Sequence, residues 1–98
     1  MRLSSDQISA IKVAAACAFG ADAVVRLFGS RADDARRGGD IDLHIEASPE
    51  MADVDHEVQF RTLIWKALDE EQIDIVVHAR GADPQWIDRA ALRDGLIL

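Results

Sequence analysis

The sequence predicts a small α/β (α+β) domain in which a mixed β-sheet carries flanking helices. Three observations lead there. Helical and strand-like periodicities alternate along the chain; each strand-like run is bounded by glycine, proline or a helix-length segment; and 98 residues suffice for one compact core, giving a single domain over 1–98. With 49% of residues apolar and 30% charged, the balance is that of a soluble globular protein, not a disordered one.

Ser4 followed by Gln7 reads as a capping box, opening an Ala-rich helix that runs to about Phe19. Ile8, Ile11, Ala15 and Phe19 fall along one face of that helix, and Gly20 can end it in a left-handed conformation. The β-prone run Ala23-Val24-Val25-Arg26-Leu27-Phe28 is stopped by Gly29, and a short helix is expected from Ser30, closing at Gly38-Gly39. From Asp40 to Glu46 the pattern alternates without a break: Ile41, Leu43 and Ile45 face one way, Asp40, Asp42, His44 and Glu46 the other. Ser48-Pro49 interrupts the chain, and a long helix is expected from Val54 to about Glu70. Ile73 to Val77 reads as a third strand, with Asp74 and Val76 opposite Ile73, Ile75 and Val77. Asp83-Pro84 reads as an N-cap with proline at the first helical position, and the last helix is expected to run to Asp94 with Gly95 as its stop. Leu96-Ile97-Leu98 is left as an apolar tail.

Charge and composition bound the function. A net charge of −7, with no long Lys/Arg cluster, weighs against nucleic acid as the principal partner. It does not weigh against a metal-chelated nucleotide, because hard divalent cations require carboxylates. Cys17 is the one cysteine, so neither an internal disulfide nor a Cys-rich metal site is possible, and its place in an Ala-rich helix suggests a small buried residue. No basic n-region or long apolar stretch marks a signal peptide or membrane span, so the expected compartment is the cytoplasm and no membrane partner is expected. A domain this small presents little concave surface, so a deep substrate pocket would need a second chain.

The chemistry-bearing stretch is Leu27-Phe28-Gly29-Ser30-Arg31, then Gly38-Gly39-Asp40-Ile41-Asp42-Leu43. Gly29 permits close backbone approach to a ligand, and the following helix start favours an anion. The Ser30 hydroxyl can donate to a phosphate oxygen or serve as a helix cap. Residues two apart on a strand project from one face about 6–7 Å apart. Asp40 and Asp42 can thus converge on two hard cations spaced about 3.5–4 Å, the geometry of two-metal nucleotidyl transfer. Asp74 adds a third carboxylate inside the apolar run Ile73-Asp74-Ile75-Val76, where it is costly unless it meets a metal or a cation.

In these residues the chain resembles the DNA polymerase β-like nucleotidyltransferase superfamily, whose signature is Gly-Ser, a short spacer, Asp-x-Asp and a third Asp on a later strand. Leu-Phe-Gly-Ser-Arg and Gly-Gly-Asp-Ile-Asp-Leu are similar to its minimal nucleotidyltransferase (MNT) branch, and the resemblance extends over almost the whole chain. The spacer from Arg31 to Gly39 is one residue shorter than the family pattern is often written, a difference the double glycine can absorb. The resemblance implies that Gly29 and Ser30 bind the triphosphate of ATP and that Asp40 and Asp42 coordinate two Mg²⁺ ions. It also implies that Asp74 shares the catalytic metal and helps deprotonate the attacking hydroxyl. Arg31 could reach a phosphate or pair with Asp33 or Asp34; both readings stand. Arg36 and Arg37 receive no role.

Other signals fall away. Neither a P-loop nor a dinucleotide fingerprint occurs. His44-x-Glu46 lacks the Pro-Cys-x-x-Cys of zinc deaminases, and His56-Glu57 lacks a second zincin histidine. His44, on the Asp42 face, is a candidate for the site edge, while His56 and His78 read as surface residues. The resemblance further implies a helical HEPN-domain partner, with AMP transferred from ATP to a tyrosine of that toxin, so that this chain acts as antitoxin. Two alternatives remain: a noncatalytic nucleotide-binding antitoxin, and an enzyme acting on a small molecule of the aminoglycoside type. On the long helix, Val54, Val58 and Trp65 form one apolar stripe and Phe60, Leu63, Ile64 and Ala67 another. One stripe suffices to dock a helix on its own sheet, so the second suggests a partner chain or self-association; the alternative is a domain that wraps the helix from both sides.

Overall fold

The computed structural model describes residues 3–29, 40–65, 67–68 and 72–98, the side chains of Asp40 and Gln72 excepted. The fold is mixed α/β, as expected: helices α1 (Ser5–Phe19), α2 (Val54–Ile64) and α3 (Trp86–Asp94) accompany strands β1 (Val24–Phe28), β2 (Asp40–Ala47), β3 (Gln72–Ala79) and β4 (Leu96–Ile97). The helix expected from Ser30 lies outside the described residues.

One sheet holds all four strands in the order β3-β2-β1-β4. β1 runs antiparallel to both β2 and β4, whereas β2 and β3 are parallel. The alternation of β2 decides the layers. Ile41, Leu43, Ile45 and Ala47 are fully buried on one face, joined from β1 by Val25 and Leu27. Against them pack Ile11, Ala14, Ala15, Ala18 and Phe19 of α1 and Phe60 and Ile64 of α2. Phe19 and Phe60 meet with ring centroids 5.8 Å apart, joining the two helices over the sheet. The opposite face carries α3.

The capping box of α1 forms as expected: the Gln7 N–H donates to Ser4 Oγ at 3.1 Å, and the Ser4 N–H to Gln7 Oε1 at 2.9 Å. Gly20 ends the helix at φ 104°. Four expectations need correction. Cys17 is exposed, because its helix turns Ala14, Ala15 and Ala18 inward instead. α2 stops at Ile64, not Glu70; the Ala67 and Leu68 amides both go to the Ile64 carbonyl, a tightened closing turn. α3 is capped by Gln85, not Asp83, because Asp88 at the third helical position accepts the Gln85 N–H at 2.8 Å. The terminal tail is an edge strand, pairing Leu96 with Leu27 and Ile97 with Arg26. No helix among the described residues is long and apolar enough to cross a membrane.

On α2 the two apolar stripes part company. Of the stripe Phe60, Leu63, Ile64 and Ala67 only Phe60 and Ile64 are buried, Leu63 and Ala67 being exposed; Val54, Val58 and Trp65 are 72%, 54% and 68% exposed, so the domain does not wrap this helix from both sides.

Candidate functional site

The sheet order brings three distant pieces of chain to one end. β1 ends beside the start of β2, with Phe28 opposite Asp42, so Gly29 emerges at the Asp42 side chain. β2 and β3 run parallel in a register that sets Asp42 opposite Asp74. In-register residues of adjacent parallel strands share a face and stand about 4.8 Å apart. Asp40, at the first position of β2, lies opposite Gln72. Gly29, Asp42 and Asp74 are therefore neighbours although they are far apart in sequence. Ser30 and Arg31 lie outside the described residues.

Gly29 is required twice over. Its φ of 76° is one that only glycine adopts readily, and a Cβ built there would collide with Oδ2 of Asp42. The turn thus holds backbone against a carboxylate with no side chain between. Asp42 is half-buried and Asp74 exposed, so the edge opens to solvent. Two like charges directly opposite on adjacent strands are destabilising. A hard divalent cation relieves that repulsion, and oxygen-only donors are what Mg²⁺ takes. The residues present fit such an ion.

Behind this edge the same face carries a buried polar layer. The next row pairs Arg26 with His44, and the one after sets Glu46 beside His78. His44 is fully buried, and its Nε2 donates to Asp88 Oδ1 of α3 at 2.8 Å. The expectation that His44 stands at the site's edge holds only for its row; its side chain pins α3 to the sheet. His78, read as a surface residue, is partly buried, and its ring lies 5.9 Å from that of His44. Its Nε2 donates to the Ala82 carbonyl at 3.0 Å. Burial pushes the Asp88 carboxyl up, yet the Gln85 N–H, the His44 hydrogen bond and the nearby His78 and His44 hold it below its ordinary value. Asp88 carried no signal in the sequence beyond its place in the first turn of a helix. Arg26 faces Glu46 at 3.6 Å in the same layer.

The described hollows lie elsewhere. A cavity of about 270 Å³ sits between α1 and the β1–β4 edge, lined by Lys12, Ala16, Val24 and Leu98 among others. Another of about 370 Å³ lies between Val13, Cys17 and Leu63, on the outer side of α1 and α2. Neither touches Asp42 or Asp74. We place the candidate site at the carboxylate edge nonetheless, because size alone says nothing of chemistry and these hollows hold no cluster of ionisable groups.

A scan against protein-family models finds no match, and a search of curated proteins finds none either.

Proposed function

We propose that this chain is a Mg²⁺-dependent nucleotidyltransferase that moves AMP from ATP to a hydroxyl of a second chain. The observation that carries the reading is the convergence of Gly29, Asp42 and Asp74 at one end of the sheet. Asp40 and Asp42 are the proposed holders of the metal pair, with Asp74 as the third carboxylate. Bound there, Mg²⁺ would neutralise the triphosphate and align attack on the α-phosphorus. The Gly29 turn, with Ser30 and Arg31 after it, gives the phosphates a backbone they can approach closely. Asp74 stands at the open side and takes the proton of the attacking hydroxyl. The acceptor oxygen then bonds to the α-phosphorus as the bond to the bridging oxygen breaks and pyrophosphate leaves. Titration calorimetry should detect Mg·ATP binding to the chain and lose it when Asp42 becomes Asn. Equal binding by Asp42→Asn would overturn the placement.

The acceptor we propose is a tyrosine on a HEPN-type helical partner, which this chain neutralises as antitoxin. Support comes from the uncovered stripe Val54, Val58 and Trp65, an apolar surface suited to another helix or to a second copy. Val58→Asp should abolish co-purification with the partner, or self-association, while the melting temperature stays within about 2 °C, as expected of a surface substitution. If the assembly survives, the stripe is not the interface.

A further inference from the structure

We propose a second metal site, distinct from the Asp42–Asp74 edge: a zinc-class divalent ion held by His44, His78 and Asp88. One donor atom from each residue lies within 4.8 Å of the donors of the other two. The residues come from β2, β3 and α3, so the site sits where the three elements meet.

The hydrogen bonds of the two imidazoles point to coordination. A carbonyl can only accept, so the contact of His78 Nε2 with the Ala82 carbonyl puts the proton on Nε2. Nδ1 of a neutral His78 then carries a lone pair. His44 Nε2 and Asp88 Oδ1 face each other at 2.8 Å, two donor atoms joined by a proton in the metal-free chain and by the ion in its place. Nδ1 of His78 is buried and, among the described residues, has no hydrogen-bond partner. Far-side anchoring of the ligands, His78 by the Ala82 carbonyl and Asp88 Oδ2 by the Gln85 N–H, is the usual arrangement at a metal.

The donor set also selects the ion. Two imidazoles and one carboxylate suit zinc and its neighbours, whereas Mg²⁺ takes oxygens and keeps its water. Tetrahedral bonds of about 2.0 Å need donors about 3.3 Å apart, so binding parts the 2.8 Å contact of His44 with Asp88 by about half an ångström. His44 and Asp88 are 0% and 5% exposed, so the ion is buried and its work is structural. It bolts α3 and the β3–α3 connection to the sheet, directly behind the row of Asp42 and Asp74.

Co²⁺ is the probe, titrated into chelator-treated full chain in millimolar Mg²⁺, which saturates the carboxylate edge. One equivalent should bind with the visible absorption of a nitrogen-ligated, low-coordinate site, and Zn²⁺ should displace it and raise the melting temperature. His78 is only partly buried, whereas His44 and Asp88 are buried, so His78→Ala is the variant that keeps the fold, and far-ultraviolet circular dichroism verifies this. That variant should lose more than the 10–100-fold in affinity that removal of an outer-shell partner costs. Cys17→Ser should bind Co²⁺ as the parent does. The proposal is overturned if the parent chain takes up no Co²⁺. It is also overturned if His78→Ala binds as tightly as the parent, or if Cys17→Ser abolishes binding.

Discussion

Asp74→Asn should abolish the proposed nucleotidyl transfer while leaving Mg·ATP affinity within about tenfold, a change of about 1.4 kcal/mol or less. The expectation follows from position. Asp42 lies on an inner strand against the Gly29 turn, and with Asp40 it is the proposed anchor of a metal-chelated triphosphate. Asp74 lies one strand further out and is exposed, on the side from which an acceptor would come. An amide there cannot take the acceptor's proton and is a poorer metal ligand than a carboxylate. Single-turnover transfer, measured beside calorimetric affinity for the same variant, separates the two roles. Undiminished turnover removes Asp74 from the chemistry; affinity lost in step with turnover makes it a binding residue.

Much of this edge was legible in the sequence because strand alternation is a local signal. The unbroken pattern from Asp40 to Glu46 gave both the buried face of Ile41, Leu43 and Ile45 and the polar face of Asp42 and His44. The capping box at Ser4 and Gln7 was equally local. What could not be read was whatever depends on distant partners. The Leu96–Ile97 strand is two residues long and exists only through its pairing with Arg26 and Leu27. The start of α3 is set by Asp88, which serves Gln85 on its own helix and His44 on β2. Nothing in the local pattern distinguished buried His44 from a solvated residue of the same strand face. For the candidate site, the residue types were legible, but the strand order that makes Asp42 and Asp74 neighbours was not.

Asp88→Ala should lower stability by about 2–4 kcal/mol, the cost of leaving two donors, one of them fully buried, without an acceptor. His44 is fully buried, and its Nε2 would lose its acceptor. The Gln85 amide at the start of α3 would lose one as well. For a domain of 98 residues this is a fall in melting temperature of roughly 8 °C or more. Replacing His44 by Leu in the same chain should recover part of the loss, since an apolar pair leaves fewer polar groups stranded. Thermal unfolding in chelator, followed by circular dichroism, measures both variants free of any metal contribution. A loss under about 1 kcal/mol, the scale of an exposed pair, would show that α3 is held by other contacts.

Mass spectrometry of the intact partner, after incubation with this chain, ATP and Mg²⁺, tests the central claim most directly. The account expects one added AMP per modified tyrosine, with pyrophosphate released in equal amount and no addition when Mg²⁺ is chelated. An unmodified partner, under conditions where the two proteins bind each other and Mg·ATP binds the chain, would contradict transfer and leave a nucleotide-binding antitoxin that acts by contact alone.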